Sequence, residues 1–355
     1  MEQKGDEVQS LAKVQIIAAM SGKGGVGKTS LLINVAHFSA FYGVKVLFVD
    51  CDLGTNGATI FVSMKYPLKG KKNVITIQDL LASLVNESEG RDSGDVDAFV
   101  PFPLEKNLDF IPASLANNLL KEEELTEERK KKILPEFQAK VNEWEKHYEI
   151  IFFDLGAGYN NFIDFFINVV NTICIVDEGD RLSYEAASEC RDKVAKNCGT
   201  KSVINCINKW EMGDRSGMRG VKGFPNSKEY AKKFKQGDMF EVTGEKSVKI
   251  LINISETLLR NEEELMNKIK KNRKKRKKIE KRQQVNIAIL IVLIFTMVIM
   301  LNGLLMYSIS ILNKNIYWLC GIIIFFSAGL FGIICYYLIS NWQKIKLNWI
   351  EAIMK

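Results

Sequence analysis

The sequence predicts an open, doubly wound α/β domain with a mostly parallel sheet, followed by two membrane-crossing helices in a hairpin. Three observations carry that expectation. Apolar, strand-like runs alternate with helical segments between residues 14 and 207. A glycine-rich loop at 22–29 joins the first such run to the first helix. Two long uncharged stretches, 285–307 and 316–340, stand near the end of the chain.

The elements follow in order. Residues 14–20 are a mostly apolar run of strand length. Residues 29–42 read as a helix, with Leu31, Leu32, Val35, Ala36 and Phe38 at helical spacing and Gly43 closing it. Residues 44–49 read as a second strand, 108–112 as a short one and 150–153 as a strong one; 172–176 and 202–207 read as two more. Several of these are apolar throughout, the pattern of a parallel sheet covered on both faces. Residues 121–148 are charge-rich and helical in pattern, with Pro135 interrupting them. The glycine-rich, basic stretch 213–223 reads as a loop.

Charge is unevenly placed. The 355 residues carry a formal +7, yet residues 268–282 alone hold eleven Lys or Arg and one Glu, a net +10. The other 340 residues therefore sum to −3, which argues against nucleic acid as a partner. Seven cysteines, an odd number without C-x-x-C spacing, point away from a disulfide framework and from a zinc site. Residues 1–12 are polar and lack the apolar core of a signal peptide, in keeping with a nucleotide domain in the cytosol.

The uncharged stretches are 23 and 25 residues long, and a helix needs about 20 to cross a bilayer. The connection 308–315 carries one lysine, Lys314, whereas the +10 run precedes the first stretch and Lys344 and Lys346 follow the second. The positive-inside rule places both ends in the cytoplasm of a multi-pass protein of the cell membrane. The basic run serves as that topology signal, or also contacts anionic lipid headgroups. The expected layout is a tail at 1–12, a nucleotide domain at 13–260, a basic juxtamembrane helix or linker at 261–284, a hairpin at 285–340 and a cytoplasmic tail at 341–355.

The loop itself reads Gly22-Lys23-Gly24-Gly25-Val26-Gly27-Lys28-Thr29 and fits G-x-x-x-x-G-K-[ST]. In that P-loop pattern backbone N–H groups cradle nucleotide phosphates, the lysine reaches the β- and γ-phosphates and the hydroxyl binds Mg²⁺. Strand, glycine loop and helix in succession set phosphates on the positive end of a helix. Lys23 is an additional charge that the pattern does not require. Two strands end in acidic residues, Asp50-Cys51-Asp52 and Asp154-Leu155-Gly156-Ala157-Gly158. Ligands of open α/β sheets bind at such strand ends. A single aspartate there is as well explained by a helix cap or turn. Several beside a complete P-loop suit metal support and water activation, though spacing does not say which does which.

With its extra lysine the loop resembles the deviant Walker A motif of the MinD/ParA family of ATPases. Residues 46–59 resemble that family's second motif, and 152–158 resemble its Walker B region, especially that of its flagellar-number regulators. Residues 107–113 resemble a further family stretch, and the likeness covers about 13–210. It implies a Mg²⁺-dependent ATP hydrolase of doubly wound P-loop NTPase fold that forms a homodimer on binding ATP. Gly22, Gly24, Gly25, Val26, Gly27, Lys28, Thr29, Ser30 and Gly156 would hold the nucleotide, and Asn208 would contact adenine. Thr29, Asp50 and Asp154 would support Mg²⁺. Lys28 and Asp52 would act in catalysis, Asp52 on the attacking water, with Lys23 reaching the partner subunit's nucleotide. The chain departs from the family in two places. It carries Asp177-Glu178-Gly179-Asp180 where a proline is common, and membrane-inserted helices where a reversible amphipathic helix is usual.

The function so implied is a membrane-anchored, ATP-dependent dimerisation switch that recruits or positions an unidentified protein partner at the lipid bilayer. A tyrosine autokinase of polysaccharide export is the alternative that pairs this loop with membrane helices, but residues 341–355 contain no tyrosine. A DNA-partitioning ATPase is disfavoured by the charge distribution and the two apolar stretches.

Overall fold

The computed structural model describes residues 14–68, 74–91, 100–115, 120–199, 201–210, 220–239, 245–259 and 262–312. The chain divides into two compact units, Met1–Lys270 and Lys271–Lys355.

A sheet organises the first unit. In chain order its strands are β1 (Gln15–Ser21), β2 (Val46–Cys51), β3 (Phe102–Glu105), β4 (Leu108–Ile111), β5 (Ile150–Ala157), β6 (Thr172–Asp177), β7 (Ser202–Ile207) and β8 (Val221–Lys222). Across the sheet the order is β3-β4-β2-β5-β1-β6-β7-β8. The antiparallel pairing is β3 with β4, and the other described pairings are parallel. Such order reversal about β1 is what opens a crevice at the carboxyl ends of the central strands.

The helices are α1 (Lys28–Phe41), α2 (Gly57–Ser63), α3 (Ile77–Ser88), α4 (Glu127–Glu145), α5 (Asn161–Phe166), α6 (Arg181–Cys198), α7 (Lys228–Lys235), α8 (Glu245–Leu258) and α9 (Glu263–Leu312). Strand side chains alternate between two cores. Ile17 and Ala19 of β1 join a cluster with α1, α2, α8 and the start of α9, whereas Ile16, Ala18 and Met20 join one with α3, α4, α5 and α6. This two-sided burial is why β1, β2, β5 and β6 are apolar along most of their length. Within the first unit, α9 contributes the buried Leu265, Met266 and Ile269, and Lys268 pairs with Glu149 at 2.6 Å.

Two sequence expectations change. Pro135 does not interrupt its helix: α4 starts after its Thr126 cap and continues through the proline to Glu145. Pro135 and Lys131, four residues before it, are both exposed, so the carbonyl that loses its donor faces water. The edge strands β3 and β8 were not foreseen. β3 contains Pro103, a residue confined to sheet edges, and β8 is too short for any periodicity to show.

In the second unit the described chain is the remainder of α9, whose exposed side chains include Val285, Ile289, Leu293, Phe295 and Leu304. By length and composition alone, Glu263–Leu304 contains a window able to cross a membrane, with mean hydropathy 2.8. The helix continues to Leu312, through part of the expected 308–315 connection. The second apolar stretch, 316–340, and the tail, 341–355, lie outside the described residues.

Candidate nucleotide site

The loop between β1 and α1 owes its shape to its glycines. Gly25 and Gly27 have φ of +83° and +81°, the left-handed region that a side chain resists. Gly22 is needed for a different reason: a Cβ there would lie 2.2 Å from the carbonyl carbon of Ala186, inside the backbone of α6. Gly27 is the N-cap of α1, and no acidic residue sits in that helix's first turn. The free N–H groups of the turn thus present an uncancelled positive end. Ser30 donates its hydroxyl to the Gly27 carbonyl at 2.8 Å and steadies the loop from below.

Parallel register brings the acidic residues to this loop. Asp50 of β2 is the register partner of Asp154 of β5, which in turn is the partner of Ala19 of β1. The buried Lys28 donates to Asp154 Oδ1 at 2.6 Å, and its Nζ lies 3.4 Å from the Thr29 hydroxyl. Asp154 is wholly buried; among the described residues its Oδ2 makes no close hydrogen bond, and the Thr29 hydroxyl is near enough to stabilise the carboxylate. Burial holds the Asp154 carboxyl above the usual range, and the Lys28 charge pulls it back.

Asp50 is placed differently. Its Oδ2 accepts from the backbone N–H and hydroxyl of Thr59, at 2.7 and 2.8 Å, and its Oδ1 accepts from the Asp52 N–H at 3.1 Å. These bonds tie the start of α2 to the sheet. Burial first, and the charge of Asp154 second, push Asp50 up to about 7 despite the bonds from Thr59. Asp52 stands further out. It accepts from the Thr55 N–H and hydroxyl at 3.1 and 2.6 Å, and a Cβ on Gly156 would come within 3.4 Å of its Oδ1. Asp52 and Thr29 both line a cavity of about 400 Å³ above the loop, a volume in the usual range for small-molecule sites.

The far wall of that cavity comes from a region the sequence left unread. Phe224, Pro225, Asn226 and Ser227, followed by Tyr230 and Phe234 of α7, face the loop across the opening. Phe234 stacks on Phe61 of α2 with centroids 4.5 Å apart, joining this wall to the segment that follows Asp52. The turn residues Pro225-Asn226-Ser227 before a helix were the available signal, but nothing local linked them to a phosphate loop.

Asn208, expected to contact adenine, lines the cavity and also bonds the loop. Its side-chain amide donates to the Val26 and Gly27 carbonyls at 2.9 and 3.2 Å, and its oxygen accepts from the Phe224 N–H at 2.9 Å. The residue therefore clamps the phosphate loop to the far wall. Lys23 is also set apart. It is not among the described residues lining the cavity, its side chain is 50% exposed, and its Nζ lies 3.8 Å from Glu178 Oε2.

Comparison with known proteins agrees with this geometry. A family model described as an AAA domain matches residues 14–198, just over half of the chain. The septum site-determining protein MinD of Thermotoga maritima is 30% identical over 144 residues, which are 40% of this chain and 44% of that protein. The match thus spans less than half the length of this curated relative. Among solved structures, MinD of Pyrococcus horikoshii complexed with Mg-ADP superimposes with a TM-score of 0.52 at 17% identity, covering 69% of this chain and 96% of that one. The MinC:MinD cell division protein complex of Aquifex aeolicus gives 0.51 at 21% identity, covering 69% and 96%. Both structural likenesses concern the fold. The chain belongs to the AAA domain family.

Proposed function

We propose that this protein is a membrane-anchored ATPase working as an ATP-dependent dimerisation switch, which recruits or positions a protein partner at the bilayer. The observation that carries the proposal is the placement of Lys23. A half-exposed lysine on the phosphate loop that stands outside the cavity, held only by a 3.8 Å contact with Glu178, is placed to serve the nucleotide of a second copy. Lys28 and the loop amides hold the phosphates in this reading, and Asp52, at the cavity wall, orients the attacking water.

The site suits Mg²⁺. Asp154 offers a buried oxygen that makes no close hydrogen bond among the described residues, and the Thr29 hydroxyl lies beside Lys28 at the same end of the sheet. Hard cations take such oxygen donors and share them with phosphates. Bound there, Mg²⁺ would neutralise phosphate charge. Asp50, with its oxygens on Thr59 and Asp52, supports that end of the site through α2. The apolar part of α9 and the 316–340 stretch form the membrane hairpin in this reading, with the ATPase unit and both termini cytoplasmic. Dimerisation within the membrane plane, and not attachment itself, is then what ATP controls.

The test uses the full-length chain in detergent micelles. Its mass is measured by light scattering with ATP and with ADP, beside Lys23→Ala. A dimer with ATP, a monomer with ADP and loss of the dimer in Lys23→Ala are expected. A Lys23→Ala chain that pairs as the parent does would overturn the proposal.

A further inference from the structure

The contact that restrains Lys23 lies within its own subunit. Glu178 sits between two lysines of the loop's outer edge. Its Oε2 is 3.8 Å from Lys23 Nζ, and its Oε1 accepts from Lys209 Nζ at 2.6 Å. Lys209 also donates to the carbonyl of Gly25, and its backbone is held at a φ of +52°. Glu178 thus reaches the loop twice, at Lys23 directly and at Gly25 through Lys209.

Its backbone is fixed by hydrogen bonds within its own turn. The Glu178 N–H donates to the Ser183 hydroxyl at 3.0 Å, and the Gly179 N–H donates to Asp177 Oδ1 at 2.8 Å. Gly179 has φ +79°, and Asp180 caps α6 by accepting from the Ser183 N–H at 3.0 Å. The Asn208 N–H donates to the Asp177 carbonyl at 2.7 Å, which seats the turn on the end of β7. A carboxylate on so constrained a turn acts as a fixed counter-charge.

We propose that Glu178 is a positioning residue that latches Lys23 onto its own subunit, so that forming the ATP-bound dimer requires this contact to break. The inference rests on the reading of Lys23 as a cross-interface lysine. Lys23 and Glu178 are 50% and 23% exposed, so the latch is weak by construction. An exposed pair of this kind is worth at most about a five-fold factor in an equilibrium. Two latches open per dimer, and removing both tightens the dimer by roughly three- to ten-fold, within the limit set by that factor. A weak latch is useful here because it raises the threshold for pairing without preventing it.

The experiment measures dimer dissociation constants of the full-length chain in detergent. Differently labelled copies are mixed in AMPPNP and Mg²⁺, and energy transfer reports pairing. The variants are Glu178→Gln, Glu178→Asp, Lys23→Ala and the double Lys23→Ala/Glu178→Gln. Affinity for a fluorescent ATP analogue, measured below the dimerisation range, checks that each variant keeps its site. The latch predicts a roughly three- to ten-fold tighter dimer in Glu178→Gln, a smaller gain in Glu178→Asp, and no gain when Lys23 is already absent. An unchanged or weaker dimer in Glu178→Gln and Glu178→Asp, with a weaker one in Lys23→Ala, overturns the latch and leaves the switch standing. Lys23→Ala pairing like the parent overturns both.

Discussion

Replacing Asn208 by alanine separates two roles for one side chain. In the structure its carboxamide bonds the carbonyls of Val26 and Gly27 and the N–H of Phe224, and the residue is 2% exposed. Truncation removes three hydrogen bonds; the Gly27 carbonyl keeps those from Ser30 and Leu31, whereas the buried Val26 carbonyl loses the one from Asn208. Each bond is worth about 1 kcal/mol net, and a stranded group costs about 1–3 kcal/mol, so a loss of roughly 3 kcal/mol is expected once partial relaxation is allowed for. For a unit of this size that lowers Tm by roughly 6–12 °C. The assay is thermal unfolding of the nucleotide-free chain, paired with titrations of ATP and GTP. A clamp predicts lower Tm without nucleotide and equal losses of ATP and GTP affinity, because the phosphate loop is common to both. An unchanged Tm with selective loss of ATP would refute the clamp and support the adenine contact.

Other perturbations bear on the same site. Lys28→Met strands the buried Asp154 and is expected to destabilise the nucleotide-free chain by about 3 kcal/mol in chemical denaturation, while lowering ATP affinity by about ten- to a hundred-fold. Asp50 binds its proton more tightly when folded, at about 7, than at the ordinary 3.8. The stability it contributes is therefore present at low pH, declines as pH rises from about 4 to 7 and is level above that. A series of Tm against pH should show this slope, and Asp50→Asn should flatten it. Gly22→Ala drives a methyl into the α6 backbone and should cost about 1–3 kcal/mol together with nucleotide affinity. Gly24→Ala, where no described residue lies within 4 Å of the added carbon, should unfold at the parent's temperature.

The central sheet was legible because burial on both faces writes itself into long apolar runs: β1, β2, β5 and β6 are each buried almost throughout. The phosphate loop was legible because its constraints are local, two glycines at positive φ and a lysine one residue into a helix. What stayed hidden depends on contacts far apart in sequence. Asn208 meets Val26 across 182 positions, and Phe234 meets Phe61 only after the chain has crossed the sheet. The Pro135 expectation went astray because local propensity cannot see that the carbonyl left without its donor faces water. Asp50 and Asp52 differ by two positions, yet one lies under α2 and the other at the cavity, a distinction drawn only by the packing of α2.

The Lys28–Asp154 pair is a buried neutral salt within the protein itself. An anion that draws Lys28 toward itself must leave Asp154 behind, buried and without compensation. A bare phosphate or sulfate therefore gains little, since what it wins from the lysine it loses on the carboxylate. A phosphate that brings its own cation repays both halves of the exchange. The pair therefore favours an anion that arrives with its own cation, a preference set by the charge balance between Lys28 and Asp154.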